Sequence, residues 1–314
     1  MNSKTKSTKG LLKSEIEESN TSPTIKAFIE EFLQDRRAQN LSPTTIKFYR
    51  SRLTQFERFC HQHQVTTVES ITPDTIRLFI LHLEQKGHND GGRHTYYRTI
   101  KTFLFFYESE LEPTNWMNPI RKVKAPRMIV EPLEGVPVEV VHKLIDTCPR
   151  GTMMGERNRA ILMVLLETGV RAAELIQMNI EDINLNESSI LVRRGKGRKP
   201  RTVFVGSIAR RQLRKWLKYR GVSSGALFVN NGGERLRYNG LREVIRRVSR
   251  LAGVDCPGIH DFRRTFALEM LRRGVDIQSI ARLMGHTSLQ VISRYLKQTD
   301  RDLGNSFKSI IDDN

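Results

Sequence analysis

Five prolines fall between residues 113 and 137: Pro113, Pro119, Pro126, Pro132 and Pro137. Each removes a backbone donor and clashes with the preceding helical turn, so neither one helix nor a central strand crosses this stretch. It predicts an extended, semi-rigid linker over 113–137. The 314-residue chain is thereby divided into two parts, each long enough to bury its own core.

Upstream of the linker the signals are helical. Residues 1–20 are polar and rich in Lys, Ser and Thr, and read as a flexible basic arm. LSPTTIKFYRSRLTQFERFC opens with Ser42 as N-cap and Pro43 at the first helical position. Its apolar residues Ile46, Tyr49, Leu53, Phe56 and Cys60 step by three and four, which makes one buried face. TPDTIRLFILHLEQKG repeats the grammar, with Thr72 as cap, Pro73 next and Gly87 as a stop. TYYRTIKTFLFFYESE carries a further helix through Ile100, Phe103, Leu104 and Tyr107. Residues 21–112 therefore read as a small all-helical domain.

Residues 138–314 are mixed. ERNRAILMVLLETG is an apolar helix stopped by Gly169. SSILVRR and RTVFVG alternate as strands, with RGKGRKP between them as a hairpin loop, and ALFVN at 226–230 reads as a third short strand. Helical patterns follow at 207–220, 240–252, 261–273, 276–284 and 288–298. The expected fold is mainly α with a small antiparallel β-sheet, an all-helical N-terminal domain preceding an α+β domain.

Fifty-two Lys and Arg against 34 Asp and Glu leave a net charge of +18. A compact chain with that self-repulsion calls for a polyanionic partner, either nucleic acid or an anionic membrane. The longest apolar run, Ala160 to Leu166, is far short of the ~20 residues that a span needs. No apolar segment of signal-peptide type follows the basic N-terminus, and the three scattered cysteines suit a reducing cytoplasm. Residues 188–233 hold 12 Lys and Arg and no acid, which reads as a phosphate-tracking face.

Metal-dependent nucleases need clustered carboxylates. The basic hairpin has none nearby, and His61 and His63 point apart on a helix, so neither a metal nor a cofactor is expected. What the second part offers is Arg171 after the Gly169 stop in ETGVRAAEL, Lys196 in GKG, His260 and Arg263 one turn apart in HDFRRTF, His286 in LMGHTS, and Tyr295 in RYLKQT. Each has a plain alternative. Arg171 can pair with Glu174, Lys196 can be one more basic loop residue, and Tyr295 can be core beside Ile292 and Leu296.

Taken together, these residues in this order and spacing resemble the tyrosine recombinase (phage integrase) family, in its compact two-domain form. LSPTTIKFYRSRL resembles the family's helical core-binding domain, and 131–314 its catalytic domain. One departure is Arg264, where many members place a second histidine. The resemblance implies attack of Tyr295 on a DNA phosphodiester, expelling a 5′-hydroxyl and leaving a 3′-phosphotyrosyl bond, without metal or nucleotide. It implies Arg171 and Arg263 as bidentate forks on the non-bridging oxygens, Lys196 as the acid, and His260 and His286 as donors or proton acceptors, with Glu174 orienting Arg171. It further implies a double-stranded DNA core site with inverted repeats, a Holliday junction, and a tetramer joined through a C-terminal exchange helix at about 302–314. An accessory DNA-bending or directionality protein and a prokaryotic, nucleoid-associated location complete the expectation. Two rival readings are a helix-turn-helix regulator, over DIQSIARLMGHTSLQVISRYLK, and a type IB topoisomerase. The regulator has no use for Lys196, His260 or Tyr295, and the topoisomerase relaxes supercoils without joining two sites.

Overall fold

The computed structural model describes residues 22–128, 135–193, 200–221 and 224–285. They form two packed units, one within 1–130 and one within 131–314. The expected arm 1–20, the tip of the hairpin at 194–199, the expected helix 288–298 and the segment 302–314 lie outside the described residues.

The first unit is a cluster of four helices: α1 (Ile25–Ala38), α2 (Pro43–Gln62), α3 (Pro73–Gln85) and α4 (Asp90–Leu111). The caps act as the sequence predicts. Ser42 Oγ accepts the Thr45 N–H at 3.1 Å, and Thr72 forms a reciprocal capping box with Thr75. Phe28 packs its ring against Phe103, Phe106 and Tyr107 with centroids 5.0–5.8 Å apart, and Phe56 meets Phe79 at 5.0 Å. The proline-rich stretch differs from a plain spacer at its start. Pro119–Lys122 is a 3₁₀ turn, Ile120 and Val123 are buried in this first core, and Tyr97 donates its hydroxyl to the Val123 carbonyl at 2.8 Å. Proline at the first position of a short 3₁₀ turn forfeits no hydrogen bond, so the spacing of these prolines permits the turn.

The second unit is built around α6 (Met153–Thr168), buried on all sides from Ala160 to Leu165. Against it pack α5 (Val138–Thr147), α8 (Ser207–Arg220) and α10 (Ile259–Arg272). Three short antiparallel strands, β1 (Ile183–Asn184), β2 (Ser189–Val192) and β3 (Arg201–Phe204), form a sheet in chain order, with Ile190 opposite Val203 and Val192 opposite Arg201. The remaining helices are α7 (Ala172–Gln177), α9 (Tyr238–Ala252) and α11 (Ile277–Met284). Residues 226–230 do not form the expected strand. Leu227, Phe228 and Val229 are all fully buried, and the segment pairs through isolated bridges, Ala226 with Asn179 and Val229 with Arg235. A strand in a small sheet alternates its faces, whereas this segment is surrounded and hands the Leu227 carbonyl to the Trp216 indole at 2.9 Å.

Candidate active site

A helix end, a helix start and a strand start build the site. Gly169 ends α6 at φ +56°, and an added Cβ there would lie 2.5 Å from Phe266 Cδ1, so both conformation and space ask for glycine. That turn places Arg171 at the N-cap of α7. Three residues on, the buried Glu174 accepts the Arg171 backbone N–H at 2.8 Å and Arg171 Nη1 at 3.0 Å. The plain alternative for Arg171, pairing with Glu174, is thus realised. It is not the whole of its environment, because Nη1 and Nη2 also reach the carbonyls of Met284 and Gly285 at 3.3 and 3.4 Å.

Arg263, 3% exposed on α10, comes from the other side. Its Nη1 donates to the Gly169 carbonyl and its Nη2 to the Met284 carbonyl at 2.5 Å. One carbonyl at the end of α11 therefore receives both guanidinium groups. Residues 92 positions apart in sequence are brought together here.

His260 lies one turn before Arg263 and is exposed as a residue. Its imidazole pKa is nevertheless lowered from 6.5, by desolvation first and then by the positive charges of Arg263, Arg264 and Arg171, with Asp261 opposing. The ring is accordingly neutral at pH 7, with one nitrogen able to donate and the other to accept a proton. Arg264, at the position where the resemblance departs, turns to Asp261 at 2.7 Å.

One member of the site escaped sequence reasoning. Arg201, at the start of β3, donates Nη1 and Nη2 to the two oxygens of Glu174 at 2.9 and 2.8 Å, and Nε to the Leu283 carbonyl at 2.8 Å. Burial alone would raise the Glu174 pKa. The Arg201 hydrogen bonds, the Arg171 N–H and both arginine charges outweigh it and hold the carboxyl down at about 2. Arg201 thus draws part of the basic stretch inward, whereas Arg193 stays exposed while pairing with the buried Asp182. Arg211, Arg214, Lys215 and Lys218 on α8 remain exposed. The signal available in sequence was alternation, since Arg201 shares a strand face with the buried Val203.

Arg171 and Arg201 share the Glu174 carboxylate and Arg263 donates to carbonyls in the contacts above, so among the described residues three guanidinium groups against one carboxylate make a site suited to an anion. Lys196, His286 and Tyr295 lie outside the described residues. No helix among the described residues is long and apolar enough to cross a membrane.

Residues 136–302 match the phage integrase family model, and residues 24–105 match the phage integrase SAM-like domain. The first match alone covers more than half of the chain. This chain belongs to the phage integrase family. It is a tyrosine recombinase, an enzyme of site-specific DNA strand breakage and rejoining, and neither rival reading is favoured. The tyrosine recombinase XerC of Thermodesulfovibrio yellowstonii is 30% identical over 279 residues, covering 85% of this chain and 90% of the relative. Among solved structures, XerH recombinase bound to a palindromic difH substrate superposes with a TM-score of 0.72 at 20% identity, over 88% of this chain and 82% of that one. A lambda integrase tetramer bound to a Holliday junction superposes at 0.74 with 16% identity, over 95% and 84%. At those identities the structural likeness speaks for the fold.

Proposed function

We propose that this recombinase cuts each strand of a double-stranded core site through Tyr295 and rejoins it to a partner strand. The observation that carries the reading is the convergence of Arg171 and Arg263 on the Met284 carbonyl, with His260 within electrostatic reach. A phosphodiester presents two non-bridging oxygens, and the pentavalent transition state adds charge to them. Planar, permanently charged forks suit that charge better than point charges do.

In this reading the Tyr295 oxygen attacks phosphorus as the bond to the 5′-oxygen breaks. Lys196 gives its proton to the departing 5′-oxygen, and a sequence neighbourhood rich in arginine lowers the cost of losing it. His260 takes the phenolic proton, as its neutral state permits, and His286 donates to a phosphate oxygen. The phosphotyrosyl ester conserves the energy of the broken bond. A 5′-hydroxyl from the second duplex then attacks it and gives its proton to Lys196, while His260 returns its proton to the departing Tyr295 oxygen, and a Holliday junction is closed. No metal ion or nucleotide enters these steps.

The domain roles follow: 21–112 as the core-binding domain, 113–137 as the connection, and 138–314 as the catalytic domain. The partner is a core site with inverted repeats, bound by four protomers on two duplexes. The relatives crystallised on a palindromic substrate and on a Holliday junction support this. So does an open, mostly apolar groove of about 590 Å³ in the second unit, where Phe204 is 58% and Ile208 63% exposed. It suits the apolar stripe Leu303, Phe307, Ile310 and Ile311 of a neighbouring protomer's exchange segment. An accessory DNA-bending or directionality protein would bias integration or excision of a mobile element against resolution of replicon dimers. The whole cycle belongs in a prokaryotic cytoplasm, on the nucleoid.

The test begins with duplexes that the full-length chain recovers from a random-sequence pool. Two such sites on one plasmid should recombine in EDTA without added nucleotide. Relaxation of supercoils with no exchange between sites would replace this reading with the topoisomerase one.

A further inference from the structure

Arg201 belongs to none of the six positions given chemical roles above. Its side chain is only 13% exposed, unlike the cations that follow it on α8. Three of its N–H groups are committed, two to Glu174 and one to the Leu283 carbonyl. Its guanidinium lies against Gly285. A Cβ at that position would stand 2.9 Å from Nη1 and 3.0 Å from Cζ, and the backbone there has φ +62°. Glycine at 285 is therefore what lets the arginine approach.

These contacts join two things. Through Glu174, Arg201 reaches the carboxylate that holds both the backbone and the fork of Arg171. Through Leu283, it grips the last turn of α11, whose next two carbonyls receive Arg171 and Arg263. A bidentate pair fixes the plane of a carboxylate as well as its position, which a single contact cannot do. With Arg201 gone, Glu174 would keep the Arg171 contacts but could rotate about its terminal bond, and the end of α11 would lose its cross-link to β3.

We infer that Arg201 is a positioning residue for strand cleavage, aiming Arg171 through Glu174 and fixing the end of α11 without itself touching DNA. This rests on the reading of Arg171 and Arg263 as phosphate forks. Misplacing a catalytic group by about 1 Å from a distance can cost ~100-fold in rate.

The test uses the full-length protein and a duplex recovered from a random-sequence pool, nicked at successive steps of its central region. Single-turnover formation of the covalent adduct is measured at saturating duplex, beside Kd and its salt dependence. Arg201→Ala should slow adduct formation by ~100-fold while Kd stays within about threefold. Arg201→Lys, which keeps charge and one contact, should fall between, and it carries the test if the alanine variant melts early. In a Glu174→Gln background, Arg201→Ala should cost less than about threefold more, because the partner it acts through is already altered. Three results would overturn the inference: independent multiplication of the two losses, a weakened Kd with a shallower salt dependence and an unchanged saturated rate, or a lowered melting point with a wild-type rate. Wild type and Tyr295→Phe run alongside. Failure of wild type to form an adduct sinks the underlying reading, whereas a normal wild type with normally active Arg201 variants sinks only the inference.

Discussion

Glu174 is the residue on which the electrostatics of the site turns. It is buried, and it accepts from the Arg171 backbone and from two guanidinium groups. Its pKa in the folded chain, about 2, lies below the ordinary 4.5. The stabilisation it provides is therefore fully present above about 4.5 and is lost as pH falls toward 2. Glu174→Gln should cost about 3 kcal/mol near pH 7, since it leaves two arginines facing a neutral amide. Denaturant titration should show the gap between wild type and variant closing as pH drops below 4.5. A gap that stays constant with pH would mean packing, not charge, sets the loss. For Arg171→Lys the charge survives and the fork does not, so single-turnover cleavage should fall ~100-fold or more. Near-normal cleavage would leave Arg171 as a salt-bridge partner only. At this scale the sequence was informative about residues that sit beside a glycine or share a helical turn, as Arg171, His260 and Arg263 do. It was silent about Arg201, whose partner Glu174 is 27 positions away and which reads in sequence as one more cation of an acid-free basic stretch.

Local grammar made the helices legible, and its failures have local reasons. Ser42 with Pro43 and Thr72 with Pro73 mark their helix starts because the capping atom and the capped N–H are three residues apart. α4, read as beginning near Thr95, starts at Asp90 because Asn89 caps it by accepting the Gly92 N–H at 2.8 Å. Gly91 and Gly92 look like breakers, yet in a first turn their backbone freedom costs little. β1 is two residues long and carries no periodicity to read. At the junction of α6 with α10, Gly169 meets the Phe266 ring closely. Gly169→Ala should combine a left-handed backbone penalty with overpacking against that ring, a loss of about 2 kcal/mol or more. Thermal denaturation should show it as a clear fall in Tm. An unchanged Tm would show that Phe266 can move aside, and that the turn carrying the Arg263 acceptor tolerates displacement.

Across the whole molecule, two sequence-encoded cores and an uneven charge belong to an enzyme that breaks and rejoins DNA, and the proposed synapsis joins two sites. Deleting residues 302–314 should leave binding to a single site intact while removing synapsis and strand exchange, because the groove beside Phe204 and Ile208 would lose its proposed occupant. Native gels with one and two labelled sites separate these outcomes, and a truncated protein that still recombines would place the tail on its own domain. All of this presupposes that the chain attacks DNA through one particular tyrosine out of seven. The decisive measurement is therefore the identity of the residue bonded to DNA. Full-length protein is trapped on a nicked duplex, digested with protease and nuclease, and the peptide bearing the residual nucleotide is sequenced by mass spectrometry. The account predicts a single adduct, on Tyr295, formed in EDTA and absent from Tyr295→Phe. An adduct on any other residue, or one that persists in the phenylalanine variant, would contradict it.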